Sequence, residues 1–281
     1  MIFSNYHTHS LFSDGKAEMK EYCNKAIELG FHSLGFSDHA PVKFDNSFSI
    51  PFEKLKEYFQ QVKLMKETYA GKLNVFTSLE ADFIPVGSYD FDFFRNQANI
   101  DYMIGSIHLV YNKGKDLMWF IDGGDQQVWD KGLTDIFGGD IKKGVKCFYE
   151  QTMEMIEEHQ PEVIGHLDKI KMHNKERLFS TSDKWYQDLV EACLISMKNK
   201  NTILEVNTRG IYKGRCQELF PSPEIAHKAQ KMGIPIMLNS DAHHPNELNG
   251  AYSSVIETLK ETEIKELVEF SSNGWIQNSL V

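Results

Sequence analysis

The chain has 281 residues, 41% hydrophobic, 25% charged and 12% aromatic, and forty acids against thirty bases leave a formal net charge of −10. That length suits one α/β barrel as well as two smaller domains. The acidic balance argues against nucleic acid or an anionic membrane surface as the main partner, since both demand a basic face. No apolar run is long enough for a membrane span, and the start of the chain shows no secretion signal. Four dispersed cysteines (Cys23, Cys147, Cys193 and Cys216) form no paired motif, which suits reduced thiols and a cytoplasmic location.

Seven short apolar runs follow in order: Ile2 to Tyr6, Ser33 to Ser37, Asn74 to Leu79, Tyr102 to Ile107, Glu162 to Gly165, Thr202 to Val206 and Ile234 to Asn239. Their length and β-branched or aromatic content predict buried parallel strands. Between them, apolar residues recur at helical spacing: Met19, Tyr22, Cys23, Ala26 and Ile27; Leu55, Tyr58, Phe59, Val62, Met65 and Tyr69; Val145, Phe148, Tyr149, Thr152 and Ile156; Trp185, Leu189 and Ala192; Ile225, Ala229 and Met232. Gly30 and Gly233 sit where helix C-caps are expected. Repeated strand–helix units imply a parallel sheet with right-handed crossovers, and a closed barrel is favoured because no glycine-rich phosphate turn follows the first strand. Residues 109–139 break the rhythm and read as an insertion after the fourth strand, a candidate lid over a single domain spanning 1–281.

Each run ends in a polar residue able to do chemistry. His7 and His9, then Asp14, follow the first; Asp38 and His39 the second; Glu80 the third; His108 the fourth; His166 and Asp168 the fifth; Asn207 the sixth; Asp241 and His243 the seventh. Parallel barrels carry their active sites at the carboxyl ends of strands. Imidazoles with carboxylates suit zinc, manganese or iron, and the set is too large for one ion, so two to three divalent ions are expected. A His-x-His pair on a strand puts both rings on one face. The other histidines, His32, His159, His173, His227 and His244, read as surface or helix residues.

The motifs His7-Thr8-His9-Ser10, Phe12-Ser13-Asp14-Gly15, Ser37-Asp38-His39-Ala40-Pro41, Leu79-Glu80-Ala81-Asp82, Ser106-Ile107-His108, Gly165-His166-Leu167-Asp168 and Ser240-Asp241-Ala242-His243 resemble those of the polymerase and histidinol phosphatase (PHP) superfamily. Glu205-Val206-Asn207-Thr208-Arg209-Gly210 and the length resemble its monofunctional histidinol-phosphate phosphatase branch. The resemblance implies a distorted (β/α)7 TIM-like barrel. It implies a first ion on His7, His9, Glu80 and Asp241, a second shared by Glu80 with His108 and His166, and a third on His39 and His243, with Asp14 the nearest candidate for its remaining position. It also implies hydrolysis of L-histidinol phosphate, in histidine biosynthesis, by attack of a metal-bridging hydroxide.

Asp38, His39 and Asp241 are the candidate catalytic residues. Asp38 and Asp168 are weighed both as proton donors and as carboxylates orienting a ligand. Arg209, Lys169 and Asn207 are candidates for binding a small phosphate monoester. Trp119, Asp122 and Asp125 of the insertion are candidates for its cationic portion. Three alternatives stand beside this reading: another PHP-type phosphoesterase, an amidohydrolase and a non-catalytic metal-binding module. The oligomeric state is left open.

Overall fold

Short strands and covering helices alternate along the chain in the computed structural model, which describes residues 4–271 and 274–280. The first half runs β1 (Ser4–Asn5), α1 (Met19–Glu28), β2 (Ser33–Phe36), α2 (Leu55–Thr68), β3 (Asn74–Thr77), β4 (Glu80–Asp82), α3 (Phe91–Arg95) and β5 (Ile104–Ser106). Next come β6 (Leu109–Asn112), β7 (Leu117–Phe120), α4 (Gln126–Phe137), α5 (Ile141–His159), β8 (Val163–Ile164), α6 (Lys184–Lys200), β9 (Ile203–Asn207) and α7 (Arg209–Tyr212). The chain finishes with α8 (Pro223–Lys231), β10 (Ile236–Asn239), α9 (Tyr252–Glu261), β11 (Glu266–Ser271) and β12 (Gly274–Ser279).

Two parallel sheets, β1-β2-β3 and β4-β5-β8-β9-β10, form the wall. They join at both seams. On one side a parallel bridge links His39 to Glu80; on the other, Thr8 bridges Ala242, with Ala242 N donating to His7 O at 3.0 Å and His9 N to Ala242 O at 2.8 Å. Because β3 and β4 are consecutive, the wall has seven staves, the distorted (β/α)7 barrel expected from the sequence. The third apolar run forms β3 only as far as Thr77; after a break at Ser78-Leu79 the chain crosses into the second sheet as β4, which starts at Glu80. Ile2 and Phe3 of the first run lie outside the described residues.

The helices bury most of the predicted faces, Met19, Tyr22, Cys23 and Ala26 of α1 and Leu55, Tyr58, Val62 and Met65 of α2, but Ile27 at the end of α1 is exposed and Phe59 only half-buried. Gly30 and Gly233 adopt left-handed φ of 76° and 84° after α1 and α8, a conformation in which a Cβ would be strained. The amino end of the barrel is filled by Tyr6, Phe76, Tyr102, Ile104, Val163, Ile203 and Met237. The antiparallel β11–β12 hairpin closes it with Val268, Phe270 and Trp275, and Tyr6 Oη donates to Phe270 O at 2.9 Å. That plug was not anticipated from the sequence. It leaves the carboxyl end as the open mouth.

Residues 109–139 are ordered: the β6–β7 hairpin followed by α4. The hairpin turns at Gly114, whose N–H reaches Asn112 Oδ1 at 3.0 Å, and Asp125 caps α4 by accepting from Gln127 N at 2.8 Å. Trp119 and Trp129 are buried with ring centroids 4.8 Å apart, and Trp119 Nε1 donates to Trp129 O at 2.9 Å. The period was illegible in sequence because the segment packs strand against helix locally instead of joining the wall. One of the remaining histidines departs from the surface-or-helix reading: His173 is buried, with Nε2 2.5 Å from Gly123 O. His159 ends α5, half-buried and stacked on Phe91 at 4.7 Å, and His32 and His244 are exposed, as expected.

Candidate metal centre

The strand ends point their side chains into one buried basin. His7 and His9 lie two residues apart beyond β1, so both rings enter from the same side, and neither is exposed. Glu80 and Asp82 share a face of β4 for the same reason. His108 follows β5, His166 follows β8, and Asp241 and His243 follow β10. His166 and Asp241 hold left-handed backbone at φ 26° and 54°, a strained conformation of about 1 kcal/mol for a residue with a Cβ. Gly165 permits the turn into His166: a Cβ there would lie 2.5 Å from Ser106 Oγ.

Glu80 is the hub. Its Oε2 is 3.1 Å from His7 Nε2, 3.4 Å from His9 Nε2 and 3.2 Å from His39 Nδ1. Its Oε1 is 2.9 Å from His166 Nε2 and 3.6 Å from His108 Nε2. Asp241 Oδ1 is 3.4 Å from His9 Nε2 and 3.3 Å from His243 Nδ1. Asp14 Oδ1 is 3.2 Å from His243 Nε2, 3.7 Å from His9 Nδ1 and 3.9 Å from His39 Nε2. Three sets of ligand atoms therefore converge: His7, His9 and Asp241; His39, Glu80 and His108; and His9, Asp14, His39 and His243. His166 adjoins the second set, with its Nε2 3.1 Å from that of His108. Asp14, the least secure of the ligands implied by resemblance, sits with the third set.

A second layer orients these candidate ligands, and sequence reasoning missed most of it. Glu205 Oε1 lies 2.6 Å from His7 Nδ1, and Asp82 Oδ1 lies 2.8 Å from His108 Nδ1. Each contact assigns the proton to Nδ1 and turns Nε2 toward the ligand cluster. Asp82 was readable in principle, two residues beyond Glu80 on the same strand face. Glu205 lies inside an apolar strand, and only the barrel's curvature shows what it meets.

The residues fit divalent cations. His7 Nε2, both ring nitrogens of His9, His39 Nδ1, Asp14 Oδ1 and Asp241 Oδ1 are buried and make no hydrogen bond. Buried polar atoms are normally paired, and leaving one without a partner costs about 1–3 kcal/mol; a shared cation satisfies several together. Burial favours the neutral acid of Glu80, but His7, His39 and His108 outweigh it and hold the carboxyl well below its usual range. Asp241 is likewise held down by His7 and Arg209 against burial, and Asp14 by His243 and His39. Burial and the neighbouring His243 and His39 push His9 well below the ordinary imidazole value. Ionised carboxylates and a neutral imidazole are the ligating forms.

The remaining candidates are placed as follows. Asp38 is buried, and its Oδ1 accepts from Ser10 N at 2.8 Å, Ser10 Oγ at 2.9 Å and Ser13 Oγ at 2.6 Å. Those donors engage the carboxylate in fixing the loop between His9 and Asp14, while burial outweighs them and pushes the Asp38 pKa up to about 6. Asp168 is taken up by Lys171 at 2.7 Å and Ser222 N at 3.1 Å. Lys169 is buried and paired with Asp122 at 2.7 Å, and Asp122 Oδ2 is 3.8 Å from His108 Nε2. Thus the insertion delivers Asp122 to the rim of the site, while Trp119 packs in its core and Asp125 caps a helix. Asn207 Nδ2 donates to Glu205 Oε2 at 3.1 Å and Asp241 Oδ2 at 3.3 Å. Arg209 Nη1 donates to Asp241 O at 2.7 Å.

No helix among the described residues is long and apolar enough to cross a membrane. Comparison with known proteins places this geometry in context. A histidinol-phosphatase of Bacillus subtilis is 23% identical over 249 residues, covering 85% of this chain and 92% of its own length. A crystal structure from Listeria monocytogenes superposes with a TM-score of 0.78 at 23% identity, over 89% of this chain and 99% of that one. The crystal structure of a Lactococcus lactis histidinol phosphate phosphatase, in complex with zinc, L-histidinol and phosphate, superposes with a TM-score of 0.68 at 19% identity, over 97% and 98%. At these identities the two structures establish the fold. The PHP domain matches residues 5–209, and the chain belongs to that family.

Proposed function

We propose that this chain is a phosphoric monoester hydrolase that converts L-histidinol phosphate to L-histidinol and phosphate, using two to three divalent ions, of which zinc, manganese and iron suit the ligands. The observation that carries the reading is the convergence of five imidazoles with Asp14, Glu80 and Asp241, joined by His166 beside Glu80 and His108, several of them without hydrogen-bond partners in a buried basin. It is supported by the L. lactis relative, which holds zinc, L-histidinol and phosphate on the same fold.

His7, His9, Glu80 and Asp241 would hold one ion, Glu80 with His108 and His166 a second, and His39, His243 and Asp14 a third. Bound ions supply Lewis-acid neutralisation of phosphoryl charge and make water a nucleophile at neutral pH. Within the protein, Glu80 presents one oxygen to His7, His9 and His39 and the other to His108 and His166, tying the sets together. Asp38, His39 and Asp241 are the proposed catalytic residues. Arg209, through the part of its guanidinium not spent on Asp241 O, and Lys169, beside Asp122, supply cationic donors for phosphoryl oxygens. Asn207 supports that end of the site by holding Asp241. The substrate is a small phosphate monoester, and the site of action is the cytoplasm.

The test is hydrolysis by the purified chain, loaded with Zn or Mn, of L-histidinol phosphate against nucleotide and sugar phosphates. A kcat/KM above about 10⁴ M⁻¹s⁻¹ on L-histidinol phosphate, with much weaker turnover of the others, is expected. Comparable rates across the panel would replace this substrate with a broader phosphoesterase role. Tight metal binding with no turnover would leave a metal-binding module.

A further inference from the structure

Strand β9 contributes no ligand to any of the three sets, yet it grips the residues that do. Glu205 is fully buried and meets four donors. Its Oε1 faces His7 Nδ1 at 2.6 Å and Asn239 Nδ2 at 2.9 Å; its Oε2 accepts from His166 N at 2.9 Å and Asn207 Nδ2 at 3.1 Å. Only a carboxylate accepts at both oxygens, so neither a glutamine nor an alkyl side chain satisfies all four partners. His7 lies in the set with His9 and Asp241, whereas His166 adjoins the set with Glu80 and His108. The Glu205–His166 hydrogen bond also falls on the residue with left-handed backbone, where a strained turn has to be held in place.

We propose that Glu205 is a positioning residue that couples two ion sites: one oxygen sets the ring of His7 and the other fixes the main chain of His166, so both sites assemble or loosen together. The inference rests on the metal-centre reading above. Arg209 and Asn207, which hold the main chain and side chain of Asp241, make the same stretch of chain a common brace for ligands from β1, β8 and β10.

The experiment is competition of full-length protein against a chromophoric chelator for Zn²⁺, on the wild type, Glu205→Gln and Glu269→Gln, with thermal unfolding of each chelator-treated protein in parallel. Glu269 is a buried carboxylate beside Ser4 and Asn278 near the barrel's closed end, and so reports the structural cost of losing a buried acid away from the mouth. Glu205→Gln is expected to weaken two Zn²⁺ equivalents by about 10–100-fold each, while Glu269→Gln keeps wild-type affinity whatever its unfolding temperature. A folded Glu205→Gln with unchanged affinity, with loss confined to a single equivalent, or with no greater loss than Glu269→Gln overturns the proposal. If Glu205→Gln does not fold, Asn207→Ala is read instead: a smaller loss shared by two equivalents supports the coupling, and unchanged affinity overturns it. A wild type that binds no Zn²⁺ overturns the metal centre and this inference together, whereas failure of the variants alone leaves the metal centre standing.

Discussion

Replacing Asp82 by asparagine tests how the protein controls the proton on one of the candidate ligands. His108 Nδ1 lies 2.8 Å from Asp82 Oδ1. Burial works against charge on the ring, but Asp82 and Glu80 outweigh it and raise the His108 pKa to about 9. A cation needs Nε2 without a proton, so ion and proton compete, and affinity falls by up to tenfold for each pH unit below that value. From about pH 9 to pH 6.5 this amounts to about 300-fold. The same shift stabilises the metal-free fold. A histidine raised on folding contributes fully below its unfolded pKa of about 6.5, by about 3 kcal/mol here, and loses that contribution as pH rises through about 9. Asp82→Asn removes the charge but not the shape; burial and Lys169 then pull His108 down against Glu80 alone. The assay is calorimetric titration of chelator-treated protein with Zn²⁺ at pH 7 and pH 8, each in two buffers of different ionisation enthalpy. The wild type is expected to release more protons than the variant at pH 7. The variant is also expected to bind about 10–100-fold more weakly at high pH, where the loss of an orienting contact remains. Equal proton release and equal pH slopes in the two proteins would refute the reasoning.

Asp241→Asn is expected to lower kcat by at least about 10²–10³-fold and to reduce bound metal, measured by steady-state kinetics beside elemental analysis, because it removes an anion shared by His7, His9 and His243. Chelation is expected to abolish turnover and lower the unfolding midpoint, both restored by Zn²⁺ or Mn²⁺; ions at about 100 times their Kd contribute about 2.7 kcal/mol per site. Trp119→Ala is expected to cost about 3–5 kcal/mol in denaturant unfolding, because Gly132 and Gly144 bring α4 and α5 directly onto that ring. An unchanged denaturation midpoint would show that the 109–139 segment does not fold cooperatively with the barrel.

Much of this protein is settled by local order along the chain. Apolar runs of strand length, helical stripes and glycine caps specify a parallel barrel, because burial on both faces and a period of 3.6 leave direct marks on neighbouring residues. The candidate ligands were legible for the same reason: all but Asp14 stand just beyond an apolar run, and His7 with His9, like Asp241 with His243, keeps the alternation that puts two donors on one side. Tertiary structure alone decided what those donors face. The split between β3 and β4 makes Glu80 the hub, the curvature of the wall brings Glu205 to His7 across 198 residues of sequence, and Ser10 and Ser13 take up Asp38. Hydrogen bonds and charge pairs depend on distance in space, and a sequence records distance only along the chain. The residues that orient the ligands therefore came into view only when the barrel closed.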